Sequence, residues 1–265
     1  MSNFTFLRGA SHPRELVEQA MAQGYSALAL TDECSMAGAV RAYEATKDTG
    51  FKLIIGSEFN TTDGLQIVLL APTQKAYAQI CALITLGRRR STKGSYQLTR
   101  TDFETGLDDC LGLLIPPSKP TISHAIWVKE LFAHRGWLTV ELHRNAGDAK
   151  RLANLRALAE KLDLPMVATG DVHMHVRERR ALQDTVTAIR HGCTVEKAGY
   201  RLFSNSERHL RSYAELQAIY PRHLLDETLR IAERCEFSLG SLKYNYPHEL
   251  VPSGMSAIRY LRRLV

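Results

Sequence analysis

Cysteine gives this chain no pattern. Its five cysteines (Cys34, Cys81, Cys110, Cys193 and Cys235) are scattered, with no C-x-x-C pair. That spacing excludes a zinc finger and a disulfide frame, and it suits thiols in a reducing compartment. No apolar run reaches the roughly 20 residues that a membrane-spanning helix needs. The start, MSNFTFLRG, lacks the apolar core of a secretion signal. A cytoplasmic protein with no membrane partner is therefore expected. Internal repeats and low-complexity segments are also absent, so nothing suggests a solenoid or a disordered tail. Charge is only mildly unbalanced, at +6 with ten histidines besides. Such a surface is compatible with a polyanionic partner without singling one out.

What is present is a core. The chain has 265 residues, 45% of them hydrophobic, enough for one large domain or a domain plus a piece of another. Short apolar runs alternate with amphipathic ones. Strands are expected at Ser26–Leu30, Phe51–Phe59, Leu65–Ala71, Cys110–Ile115, Trp137–Leu142 and from Met166. Helices are expected from Pro13 to Gln23 and over Ala37–Asp48, Gln74–Leu86, Ile122–His134 and Ala149–Leu162. Ser11 reads as the first helix's N-cap. The alternation predicts an α/β fold with a mostly parallel sheet.

Polar chemistry gathers where those strands end. Asp32 and Glu33 follow the first, Glu58 closes the second, Glu141 and His143 close the fifth, and Asp171 and His173 follow the sixth. Ligands in α/β folds bind at the carboxyl ends of strands. The last of these stretches, PMVATGDVHMH (Pro165–His175), is the most concentrated. A strand continuing through Asp171 would put Asp171, His173 and His175 on one face, as a metal site would use them. The ordinary alternative is a strand-to-helix turn with solvated histidines. The basic run Arg88, Arg89, Arg90 and Lys93 is a candidate phosphate contact, or simply a solvated loop. More helices are expected from Arg177 on, with the barrel ending near residue 205 and a helical connector over 206–265.

Several motifs occur together in one order: SNFTFLRGASHP (Ser2–Pro13), ALALTDECSMAGAVRA (Ala27–Ala42), LIIGSEF (Leu53–Phe59), VELHR (Val140–Arg144), ATGDVHMHVRERRALQDTVTAIR (Ala168–Arg190) and SERHLRS (Ser206–Ser212). In this the chain resembles the PHP (polymerase and histidinol phosphatase) domain of bacterial C-family DNA polymerases, nearest to their error-prone branch. IAERCEFSL (Ile231–Leu239) and YPHELVP (Tyr246–Pro252) look like the segment leading toward a polymerase palm. The resemblance implies a distorted seven-stranded β/α barrel with metal at its strand ends. Carried over by motif, it implies Asp32, Glu33, Glu58, His143, Asp171 and His173 as the metal-ligand candidates, and His175 falls outside the pattern. Two departures reduce that set. Glu33 stands where the intact motif has histidine, and the His-x-His pair of the first motif, which would fall just before Ser2, is not in this sequence.

An intact site of this kind does metal-assisted phosphoester hydrolysis. Here the resemblance implies a domain kept mainly for structure, with weak or partial occupancy by Mn²⁺, Mg²⁺ or Zn²⁺. The expected function is that of the N-terminal PHP region of an error-prone polymerase in translesion synthesis, DNA replication and repair. Its implied partners are DNA, reached through the full-length polymerase, the other polymerase domains and mutagenesis accessory subunits. Two other readings stay open at this point: a metal-dependent phosphoesterase or 3′–5′ exonuclease, and a non-catalytic module binding DNA or partners.

Overall fold

A computed structural model describes residues 1–243 and 251–265. His248 and most of the Tyr246–Pro252 motif lie outside the described residues. The chain order is α1 (Pro13–Ala22), β1 (Ala27–Glu33), α2 (Ala39–Thr46), β2 (Lys52–Asn60), β3 (Gln66–Leu70), α3 (Gln74–Arg89), β4 (Leu111–Ile115), α4 (Ile122–Phe132), β5 (Gly136–Glu141), α5 (Asp148–Leu162) and β6 (Met166–Thr169). After β6 come α6 (Arg180–Arg190), α7 (Val195–Ala198), α8 (Tyr213–Gln217), α9 (Arg222–Arg234) and α10 (Ala257–Leu264).

The strands form one sheet in sequence order. Pairing is parallel for β1–β2, β4–β5 and β5–β6, and antiparallel where β3 meets β2 and β4. The β2–β3 reversal follows from the short turn through Asp63-Gly64, with Gly64 at φ +85°, because the connection 61–65 between Asn60 and Gln66 is too short to join parallel neighbours. One cavity of about 560 Å³ touches Ala29, Ile54, Val68, Leu113, Thr139 and Val167, one residue from each strand. The sheet is therefore curled around its own interior, an open half-barrel of six strands. Among the described residues no seventh strand joins them, and the edges of β1 and β6 face a gap.

Two apolar layers hold this curve. Outside, β2 to β5 pack on α3, α4 and α5 through Phe59, Ile67, Ile80, Leu114, Val128, Leu138 and Leu155. Inside, Ile54, Leu113, Trp137 and Val167 meet Ile231 and Cys235 at the end of α9, and Trp137 Nε1 donates to Glu227 Oε1 at 2.8 Å. Residues past 205 thus belong to the barrel's own packing, including Arg211, which is 1% exposed and donates to the Leu142 carbonyl.

Two local expectations change. The first helix begins after His12, whose N–H donates to Glu15 Oε2 at 2.8 Å. Ser11 instead bonds His175 through its hydroxyl. The basic run is only partly a loop: α3 continues through Arg89, so Arg88 and Arg89 lie on its last turn, where cations complement the helix dipole, while Arg90 is its C-cap and Lys93 follows in a turn.

Candidate functional site

All the parallel strands end at one rim, and the expected residues do gather there. Three of the exits turn through left-handed backbone without glycine: Cys34 (φ 45°) after β1, Arg144 (φ 54°) after β5 and Asp171 (φ 42°) after β6. Such conformations cost roughly 1 kcal/mol or more each and persist where packing imposes them. The Asp171 turn overturns the expected alternation. β6 stops at Thr169, so Asp171, His173 and His175 do not share a strand face. Asp171 and His173 still meet, at 3.0 Å between Oδ1 and Nε2, because the chain turns. His175 points away, to Ser11 Oγ at 2.8 Å.

The carboxylate oxygens of Asp32, Glu33 and Asp171, and one of Glu58, are held by the protein, whereas those of Glu141 accept no hydrogen bond among the described residues. Asp32, 2% exposed, accepts from the Ser2 N–H (2.6 Å), Ser2 Oγ (2.8 Å) and Thr5 Oγ1 (2.8 Å). Glu33 Oε1 accepts from Asn60 Nδ2 and Tyr96 Oη, each at 2.8 Å, and its Oε2 takes Arg8 Nη1. The same Arg8 nitrogen reaches Glu58 Oε1 at 3.1 Å. Asp171 Oδ2 accepts from Arg208 Nε at 2.7 Å. Both nitrogens of His173 face acceptor oxygens, Asp171 Oδ1 and the Arg8 carbonyl at 3.1 Å, so neither is aimed at open space. His143 Nε2 donates to the Gly170 carbonyl at 3.1 Å.

Charge at the rim follows from these contacts. Burial works against ionised Asp171, yet His173 and Arg208 hold it well below the usual carboxylate range. Burial also opposes charge on Glu33, but Arg8, Tyr96 and Asn60 keep it below its ordinary value. For Glu58, 5% exposed, burial outweighs the Arg8 contact and the proton affinity rises. Arg8 stays firmly charged: burial lowers its proton affinity, and Glu58 and Glu33 more than restore it. Burial, with Asp171 close by, pushes Glu141 up to about 8. Burial and the Arg208 charge push His143 down to about 4, so it is a neutral ring near pH 7.

The space above the rim is a cleft of about 320 Å³ lined by Arg8, Glu58, Glu141, His143, Asp171 and Arg208, among others. The metal expected there does not fit this donor set. Among the described residues no three His, Cys, Asp or Glu side chains stand so as to hold an ion together. Ligand oxygens must converge on a cation, and here they converge on guanidinium groups and hydroxyls.

Of the residues expected as ligands, Asp32, Glu33, Glu58, Asp171 and His173 are engaged by neighbours, and His143 stands at the cleft wall. Sequence reasoning passed over Arg8, Arg208, Ser2 and Thr5. The two arginines sit inside quoted motifs, SNFTFLRGASHP and SERHLRS, and a cation beside recurring strand-end carboxylates was the available signal. Ser2 and Thr5 lie in the first of those motifs too, but no charge there pointed to them. The basic run is divided. Arg88 bonds the Cys34 carbonyl at 3.1 Å and lies over the Tyr96 ring. Arg90 pairs with Asp102 at 2.7 Å. Arg89 and Lys93 are exposed.

The PHP domain family matches residues 1–118. Over 265 residues the chain is 56% identical to the error-prone DNA polymerase of Methylococcus capsulatus, covering 100% of this chain and 25% of that protein. Over 267 residues it is 54% identical to the error-prone DNA polymerase of Dechloromonas aromatica, covering 99% of this chain and 26% of that protein. The chain thus spans about a quarter of the length of the curated relatives it matches. Among solved structures, a proposed metal-dependent phosphoesterase from Bifidobacterium adolescentis is similar at a TM-score of 0.47 and 16% identity, over 62% of this chain and 83% of that one. Endonuclease Q, solved with a 27-mer duplex carrying an abasic lesion, is similar at 0.41 and 14%, over 62% and 45%. Identity above one half along the whole chain makes it similar to a stretch of the error-prone DNA polymerases about a quarter of their length, and its first 118 residues match the PHP domain family.

Proposed function

We propose that this region is the PHP scaffold of an error-prone DNA polymerase, holding polymerase segments in place without hydrolysing phosphoesters itself. One observation carries the reading: the rim carboxylates that hydrolysis would assign to metal are bonded to the chain's own donors, Arg8 and Arg208 foremost. The same donor set argues against weak or partial occupancy by Mn²⁺, Mg²⁺ or Zn²⁺. The relatives' name supports a place in translesion synthesis during DNA replication and repair, with DNA reached through the full-length enzyme. Other polymerase domains and mutagenesis accessory subunits are the partners this reading implies, in the cytoplasm. Any direct DNA contact from the basic run falls to Arg89, at the end of α3, and Lys93 beyond it, since Arg88 and Arg90 already have partners in the fold. Nothing in the described residues is a helix long and apolar enough to cross a membrane.

The same reading includes a seventh strand, in the gap between β1 and β6. Met1 lines the interior cavity, and its amino group donates to the Val172 carbonyl at 2.8 Å, at the carboxyl end of that gap. This reading takes the connector toward the palm to begin after Leu239, the last of the described residues packed against the core.

The decisive experiment uses the full-length polymerase. Release of nucleotide from a 3′-labelled primer is measured with Mn²⁺, Mg²⁺ or Zn²⁺, beside primer extension. The scaffold reading expects extension without release. Release that disappears in Asp171→Ala while extension persists would instead establish the exonuclease.

A further inference from the structure

Glu33 and Glu58 are register partners on the parallel strands β1 and β2. Two carboxylates so placed repel unless a cation stands between them. A single Arg8 nitrogen contacts both. Across the rim Asp171 faces the same problem, and Arg208 meets it from the other side. Its Nε bonds Asp171 at 2.7 Å, and its guanidinium lies 3.9 Å from the centre of the Phe203 ring.

Both arginines are anchored through their backbones to one short segment. The Arg8 carbonyl accepts from His173 Nδ1, and the Ala10 N–H donates to the His173 carbonyl at 2.7 Å. The Arg208 carbonyl accepts from the N–H groups of His173 (2.8 Å) and Met174 (3.2 Å). An ion in solution exchanges, whereas these cations are fixed by the fold.

We propose that Arg8 and Arg208 are tethered cations which take the electrostatic place of divalent ions at the barrel rim, so that the domain keeps its fold independently of metal. This deepens the scaffold reading and rests on it. Arg8 also fastens the N-terminal loop over β1 and β2, and Arg208 fastens the segment 203–211 over β6. A divalent ion entering between Glu33 and Glu58 would have to displace Arg8, whose side chain is only 20% exposed where it stands. The charge that excludes the ion is therefore the charge that replaces it.

The test is thermal melting of the chain in EDTA and in millimolar Mn²⁺ or Zn²⁺, with metal content measured after dialysis. The wild type is expected to melt within about 2 °C in either medium and to retain less than about 0.2 metal per chain, since only ligands of the folded state shift its melting. Arg8→Ala is expected to melt lower by roughly 10 °C, as for the loss of one partner of a largely buried ion pair. Mn²⁺ is expected to restore part of that loss, because the freed Glu33 and Glu58 become ligands. If Arg8→Ala does not fold, Arg8→Lys provides the reading, with a smaller loss and a smaller Mn²⁺ response. Stoichiometric metal and a stabilised wild type would overturn the proposal, as would Arg8 variants as stable as the parent. A metal-stabilised wild type that releases no 3′ nucleotide would end this proposal and leave the scaffold standing. Release of 3′ nucleotide by a wild type whose melting ignores metal would end the scaffold reading alone.

Discussion

At the scale of single residues, Glu141 is the group whose environment suits its charge least. Its side chain accepts no hydrogen bond among the described residues, it lines the cleft beside Asp171, and it is pushed up to about 8. In the unfolded chain it ionises near the ordinary value, about 4.3. Between those two values the folded state holds a proton that the unfolded state has released. Its contribution to stability is therefore full below about pH 4.3 and is lost as pH rises toward 8. His143 acts in the opposite sense. Held at about 4, it contributes stability above about pH 6.5, and that contribution is lost as pH falls through 4. The two offset each other in mildly acidic solution and separate above pH 6.5, where only Glu141 still titrates. Glu141→Gln is therefore expected to stabilise the chain at pH 8 by roughly 2 kcal/mol, less than the whole shift implies because the carboxylate borders open cleft. It should be close to neutral at pH 4.5. Denaturant melts at both values check this, and an equal effect at the two would show that Glu141 carries no unusual proton.

At the scale of elements, the fit of β4 against α4 depends on the absence of a side chain. A Cβ on Gly112 would lie 2.9 Å from three ring carbons of Phe132, and Phe132 is fully buried among Trp127, Val128 and Phe103. The ring has no empty space to enter, since interiors are packed to crystal density. Gly112→Ala is expected to cost about 1–3 kcal/mol, read as a lower denaturant midpoint with an unchanged slope. This level is also where the sequence was most informative. Alternating apolar runs placed all six strands and the major helices, because burial on one face leaves a period that any chain must show. It misjudged the places where periodicity ends. The left-handed turn at Asp171 broke a pattern that looked like a continuing strand. The run at Arg88 read as a loop because charge was weighed above the helix it finishes. The partners of Asp32 lie about thirty residues away, at Ser2 and Thr5, and no local rule connects such positions. The candidate ligands were found as a group for a better reason: strand ends in an α/β fold converge, so polar residues repeated there meet whatever holds them. What held them was not visible, because a metal ion and a guanidinium leave the same carboxylates behind in a sequence.

For the whole molecule, the open edges decide how stability is distributed. In the order β1 to β6, four strands have a neighbour on both sides and two do not. β1 carries the sequence ALALTDE, apolar enough for a buried central strand, yet Ala29 in its middle is exposed. An edge of that kind is a template for further pairing. β6 is protected differently: α9 packs against it, with Ile231 beside Val167, and the Tyr220 hydroxyl bonds the Thr169 carbonyl at 2.8 Å. Opening should therefore begin at β1 and its contact with α1, while β3 and β4, flanked on both sides and covered by α3 and α4, open only with the whole domain. Native-state hydrogen exchange is expected to show amides of β3 and β4 protected to the limit of global unfolding. Those of β1 that make no bond to β2 should exchange faster by at least two orders of magnitude, since each tenfold corresponds to about 1.4 kcal/mol of local opening. Concentration separates two sources of any excess protection. If β1 is slow only in concentrated samples, a second copy is pairing with its edge. If β1 is as slow as β4 at every concentration, the half-barrel is closed within one chain and the gap described between β1 and β6 does not exist in solution.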